Sequence, residues 1–361
     1  MLQHLLLLLP ISLCLAKNEY RKKILIAVFL ILYAFSAIRY DFGNDYLSYM
    51  DKYNTIQQGG NPFSMEILST LIFKVCPNYY VLIAISSIFY LVATYFLIKE
   101  DVNEQYYWIA VMLFIINPYL FFQSLSALRQ YWATAFFMVA VRFSYKRKLL
   151  WYVFFVLVAT LFHKSAIVLL PVYLIANDRA VTVKQICVFA GLVCFAVLFS
   201  QRVFDEILLK LAAFFRDINY EVYLSHSGRN SLRATILTGI TFVYLVVNIP
   251  YLKGKTLLYA KLYCISITFG VLAYKMAMLT RLQIYFDVFG IVALPLIATQ
   301  RFKELKEQAK DGGKWKKIWF LGVGIGLPLL IVLVFYLRYY SYFTNPLWQR
   351  FFDYKTIFDL L

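Results

Sequence analysis

Apolar residues along this chain do not alternate with polar ones. They gather into long runs divided by short polar connections, most of them basic. About 20 apolar residues in a helix cover the roughly 30 Å of a bilayer's hydrocarbon core, so runs of this kind predict spanning helices. They fall at 2–16, 24–38, 79–98, 106–122, 126–142, 149–163, 165–177, 185–200, 234–252, 261–274, 282–300 and 318–337. Several are shorter than a full span, which predicts half-helices or neighbours that merge, with about 10–12 transmembrane helices in all. The expected fold class is an all-α polytopic integral membrane protein, a single membrane domain over 1–361.

Composition agrees. The 361 residues are 62% hydrophobic and 15% charged, with a mean hydropathy of +0.68, against about 25% charged in soluble domains. A cytosolic enzyme is excluded. The net charge of +17 would suggest nucleic acid in a soluble chain. Here its distribution points to a membrane instead, and no nucleic-acid partner is expected. Connections 17–23, 99–105, 142–148, 177–184, 253–261 and 301–317 carry 21 Lys and Arg in 55 residues. That is roughly three times the density of the alternate connections and tail, which places the first set, including the basic loop 301–317, in the cytoplasm. Segments 39–78, 201–233 and 338–361 then lie outside. The first apolar run is followed, not preceded, by Lys17, Arg21, Lys22 and Lys23, so it reads as a retained helix with its N-terminus outside. Five cysteines without a CxxC pair and three histidines without HExxH predict neither a disulfide framework nor a metal centre, and no cofactor is expected. Gly322, Gly324 and Gly326 lie within an apolar run and follow no strand, so they read as helix packing, not dinucleotide binding.

Charged residues beside or within apolar runs are expensive and default to function. In Arg39–Tyr49, Asp41 and Asp45 stand four apart, and Gly43 predicts a turn before a helix beginning near Asp45, with Tyr49 on the Asp45 face. A helix cap with interfacial anchors would also account for this stretch. Glu66 opens the run 65–73, too short to span before Pro77, which predicts a re-entrant or interfacial helix; capping alone would also explain the carboxylate. Asn117-Pro118 predicts a broken helix lining a cavity, after which Arg129-Gln130 opens a new span. An arginine at the positive end of a helix dipole stands against its local electrostatics, which points to an anion. His163-Lys164 sets two basic groups together at the outer boundary. Arg281, among apolar neighbours, fits either snorkelling to headgroups or bidentate phosphate binding. If these groups gather at one extracytoplasmic cavity, they suit an anionic ligand and a carboxylate-assisted reaction.

In order, Arg39…Gly43-Asn44-Asp45-Tyr46…Tyr49, Glu66, Leu128-Arg129-Gln130 with Ala133, Phe162-His163-Lys164-Ser165-Ala166 and, more loosely, Arg281…Tyr285 and the tail around Tyr354 resemble the EpsG-like branch of Wzy polysaccharide polymerases. The resemblance implies a GT-C-like glycosyltransferase in the bacterial inner membrane, its site facing the periplasm. It would join undecaprenyl-pyrophosphate-linked repeat units into O-antigen or exopolysaccharide, without a metal, with membrane lipid and a chain-length regulator protein as partners. Arg129 and Arg281, helped by Arg39, would hold the pyrophosphate. Asp45 is the preferred base, with His163 and Glu66 as competitors; Asp41, Tyr46, Tyr49 and Gln130 would bind sugar. Two other readings stand beside it. One is a flippase or transporter for lipid-linked oligosaccharides, which should show repeats and charges through the full membrane depth. The other is a ligase or acyltransferase using the same carrier.

Overall fold

The computed structural model describes residues 2–60, 65–199, 232–274, 279–310 and 312–360. The backbone divides into two compact units, one of residues 1–177, 288–296 and 335–361, the other of 178–287 and 297–334.

The first unit carries α1 (Leu2–Leu15), α2 (Arg21–Ala37), α3 (Tyr46–Gln57), α4 (Ile67–Val75), α5 (Tyr79–Asp101), α6 (Tyr107–Ile116), α7 (Leu128–Tyr145) and α8 (Leu149–Phe162), followed by a 3-10 segment, Lys164–Leu174. Helix α5 packs against α2 and α7, and α7 against α8. The interior between them is mostly aromatic and aliphatic, with Leu32, Phe73, Phe114, Trp132 and Phe137 buried. Local chemistry sets the boundaries. Asn78 caps α5 by accepting a hydrogen bond from the Val81 N–H (2.9 Å), satisfying one of the first-turn donors. Helix α3 ends where Gly59, at φ +81°, turns the chain and the Gly60 N–H returns to the Thr55 carbonyl (2.9 Å). The expected break after Asn117 is present: α6 stops at Ile116, one helical turn follows over Phe121–Ser124, and α7 starts at Leu128. Beside it lies a cavity lined by Ser36, Ser87, Ser124 and Leu125, with room for about one water molecule and none for a sugar.

The tail folds back onto the segment after α2. Two-residue strands, β1 (Arg39–Tyr40) and β2 (Lys355–Thr356), pair antiparallel, with Arg39 opposite Thr356. The Ile357 N–H donates to the Ile38 carbonyl (2.9 Å), Tyr354 stacks on Phe35 with ring centroids 4.0 Å apart, and Gln3 reaches the Phe352 carbonyl (2.6 Å). Segments 39–78 and 338–361, both expected on the outer side, thus share one packed region.

The second unit holds α9 (Val183–Phe199), α10 (Leu232–Asn248), α11 (Gly254–Leu272) and α12 (Leu279–Asp287), with α11 packed on α10 and α12. Two further helices, α13 (Gly290–Lys310) and α14 (Lys314–Tyr342), pass between the units' stretches of sequence. The expected basic loop 301–317 is mostly helical: α13 runs through Lys310 and α14 begins at Lys314. Residues 201–231 of the expected outer segment lie outside the described residues. Gly322, Gly324 and Gly326 fall in a π-helical stretch of α14; a Cβ on Gly324 would meet the Phe320 ring of the same helix at 2.9 Å, whereas one on Gly322 would meet nothing within 4 Å.

This is an all-α, multi-pass membrane protein. Among the described residues four helices (α5, α10 with the turn after it, α11 and α14) are long and apolar enough to cross a bilayer, or five if α12 and α13 form one broken span. The other apolar runs form shorter elements. Helices α1 and α8 and the 3-10 segment have 10–17 residues, and at 1.5 Å per residue such helices do not reach across 30 Å alone. Only 22% of the apolar window of α14 is buried, leaving Leu321, Leu329 and Leu333 outward, a surface suited to lipid and not to water.

Candidate functional site

The turn at the head of α3 is built by backbone constraint. Asp41 at φ +44° and Gly43 at φ +122° reverse the chain, and a Cβ at Gly43 would press on the Leu125 carbonyl oxygen at 3.1 Å. The turn delivers Asp45 to the N-cap of α3, as Gly43 predicts. Its carboxylate does not cap its own helix: Oδ2 accepts from the Ser126 hydroxyl (3.0 Å), whose oxygen in turn accepts from the Asp45 N–H (3.0 Å). Asp45 itself remains exposed. Along α3, Tyr49 and Lys52 follow on the same face, at i+4 and i+7.

Glu66 precedes α4 in extended conformation and likewise does not cap its own helix. Its carboxylate bridges two other elements. Oε2 accepts from Arg129 Nη1 at 2.6 Å, and Oε1 accepts from the Lys164 N–H at 3.0 Å, with His163 Nδ1 at 3.4 Å. The Arg129–Glu66 side chains are only 14% and 11% exposed. Burial pushes the Glu66 carboxyl up, but His163, the Arg129 charge and the Lys164 N–H together outweigh it and hold it down at about 2. Arg129 is the second residue of α7, so the Glu66 charge offsets the clash with the helix dipole. The Arg129 charge also acts on the Tyr49 hydroxyl, and Lys52 Nζ stands 5.3 Å from the centroid of the Tyr49 ring. His163 is placed by the end of α8, where the backbone turns extended (φ −154°) before the 3-10 segment. Ser69, donating to the Phe162 carbonyl (2.9 Å), fastens α4 to that end of α8.

Four separated stretches therefore meet: Asp45–Lys52, Glu66, Ser126–Arg129 and His163–Lys164. Of the residues singled out from the sequence, Asp45, Tyr49, Glu66, Arg129 and His163 are brought together, and Gln130 lies buried beside Arg129. Two expectations are corrected. Arg39 is fully buried, its guanidinium donating to the Ser36 carbonyl, to Ser87 Oγ (3.2 Å) and to the Leu125 carbonyl (3.2 Å), so it ties α2 to α5 and to the turn before α7 and does not face a ligand. Tyr46, 1% exposed, packs edge-on against Tyr79 and offers no sugar platform. Asp41 is ion-paired with Arg350 of the tail. Arg281 is exposed on α12, in the second unit. Sequence reasoning missed Lys52, Ser126 and Arg350. The first was legible as the i+7 partner of Asp45; the other two are set by long-range packing.

These features define a polytopic helical membrane protein with a compact cation–carboxylate cluster built from distant segments. The chain belongs to the EpsG family, whose model matches residues 22–356. Membership supports a polysaccharide polymerase-type role in general. No curated protein matches the chain, and no solved structure does.

Proposed function

We propose that this protein is a GT-C-like glycosyltransferase that joins undecaprenyl-pyrophosphate-linked oligosaccharide repeat units at the periplasmic face of the bacterial inner membrane. The observation that carries the reading is the largely buried Arg129–Glu66 pair, extended by Tyr49, His163 and Lys164. In the reaction, the acceptor hydroxyl oxygen bonds to the donor's anomeric carbon, the bond from that carbon to the pyrophosphate oxygen breaks, and its electron pair leaves on the diphosphate. Arg129, whose geometry Glu66 fixes, faces the negative charge that grows on this leaving group. The hydroxyl proton passes to Asp45. That carboxylate is exposed and accepts from a neutral hydroxyl, whereas Glu66, held at about 2, is a weak base at neutral pH. His163, facing Glu66 through Nδ1, is the competing base.

The test is a glycan gel from the native host lacking this gene, complemented with wild type, Arg129→Gln, Asp45→Asn or His163→Gln at matched protein levels. Arg129→Gln and Asp45→Asn are expected to slow elongation by at least about a hundredfold, leaving single repeat units in place of the ladder, while His163→Gln keeps the ladder. An unchanged chain length in Arg129→Gln overturns the assignment. Loss of every repeat unit, including the first, points to flipping or ligation instead.

A further inference from the structure

We infer that Lys52 is a second anion-binding residue of the site, acting with Arg129 on the diphosphate of the lipid-linked sugar; this rests on the reading above. Arg129 and Glu66 form a close pair of opposite charges, so together they bring almost no net charge to a leaving group that gains a negative one. Arg39, the helper expected from sequence, is committed to backbone carbonyls and a serine hydroxyl in the interior. Lys52 supplies what is lacking. Among the described residues no carboxylate lies within ion-pair distance of its ammonium, although it stands in the electrostatic field of Arg129, Asp45 and Glu66.

The geometry is that of a divided site. One ring, Tyr49, has Lys52 over its face at 5.3 Å while the Arg129 charge acts on its hydroxyl. Two cations held at the same ring repel one another when nothing lies between them, and an anion with several oxygens relieves that repulsion. Burial and the Arg129 charge both lower the Lys52 pKa, so the ammonium is kept there against its local environment. A cation–π contact with Tyr49 would account for the packing of the lysine stem but not for placing a second positive charge beside Arg129.

The experiment uses the full chain in phosphatidylcholine nanodiscs, with undecaprenyl pyrophosphate as the probe. Lys52→Met keeps the stem and removes the charge, while Lys52→Arg keeps the charge. The Kd of Lys52→Met is expected to rise about tenfold, the worth of roughly one charge-assisted hydrogen bond, with Lys52→Arg within about twofold of wild type. Equal affinity in Lys52→Met and wild type overturns the inference, and so does equal weakening in Lys52→Arg, which would mark a packing role. A wild type that elongates glycan in the host while Lys52→Met binds normally removes Lys52 alone. A wild type with no affinity for the lipid diphosphate removes both readings.

Discussion

Glu66 and Arg39 show how charged side chains in one unit serve different ends. The Glu66 carboxyl titrates at about 2 in the folded chain against its ordinary 4.5, a difference worth about 3 kcal/mol of stability by linkage. Because the folded value is depressed, that stability is complete above the unfolded value of 4.5 and is lost as the pH falls from there toward 2. Glu66→Gln should therefore unfold at a lower temperature at neutral pH and lose the acid-dependent part of the transition between these limits, read by thermal unfolding in detergent across pH. A variant with the wild-type pH profile would show that Glu66 is not the group being titrated. Arg39→Met should do something else. It leaves the Ser36 and Leu125 carbonyls buried without their donor, at about 1–3 kcal/mol for each orphaned group, so its yield of folded protein should fall. Arg129→Gln should also cost folded protein, because it leaves the largely buried Glu66 carboxylate without its guanidinium, but it alone should stop elongation per folded molecule. Yield is measured by size-exclusion profile and elongation is compared at matched folded protein; equal elongation per folded molecule in the two variants would erase the distinction.

Helix α3 turns backbone conformation into site geometry. The chain enters it through Gly43 at φ +122°, a region a side chain rarely occupies, and a Cβ at that position would stand 3.1 Å from the Leu125 carbonyl oxygen. Gly43→Ala should displace the turn and, with it, the Asp45–Ser126 contact. Elongation is expected to drop by at least about tenfold, with about 1–3 kcal/mol lost in unfolding, measured by gel ladder and thermal melt; unaltered activity would show that the turn does not position Asp45. Much at this scale was legible. Gly43, the isolated Glu66, the break at Asn117-Pro118 and the polar interruption at His163 each predicted an element boundary that the backbone has, because each depends on residues close in sequence. What each carboxylate bonds to was not legible. Capping its own helix was one reading of Glu66 and of Asp45, yet their carboxylates serve Arg129, the Lys164 N–H and Ser126, partners that chain topology alone brings near. Arg39 likewise reads as a ligand cation in sequence, and only the burial of its three acceptors shows otherwise.

At the scale of the molecule, the first unit is assembled from both ends of the chain. Apolar runs announced its helices, but nothing in them foretold the return of the tail, because two-residue strands and aromatic contacts carry no periodicity. Arg350 pairs with Asp41, Phe351 is fully buried against Phe42, and Tyr354 donates to the Phe35 carbonyl (2.6 Å). These contacts differ greatly in weight. The ion pair, with side chains 37% and 32% exposed, is worth at most about 1 kcal/mol. A buried phenylalanine contributes about 1.5–3 kcal/mol by itself, and removing it would also uncover the Phe35–Phe42 face beneath it. Asp41→Asn should accordingly shift thermal unfolding by less than about 1 kcal/mol. Phe351→Ala should lower stability by about 3–5 kcal/mol and loosen the turn that carries Asp45, since the Arg350 carbonyl is the acceptor for the Gly43 N–H (3.4 Å). A chain ending after Asn345 should lose more than Phe351→Ala in both folded yield and elongation. If such a truncation matched wild type in melt and ladder, the tail would be an appendage, and the turn would owe its shape to α2, α3 and the Leu125–Ser126 backbone alone.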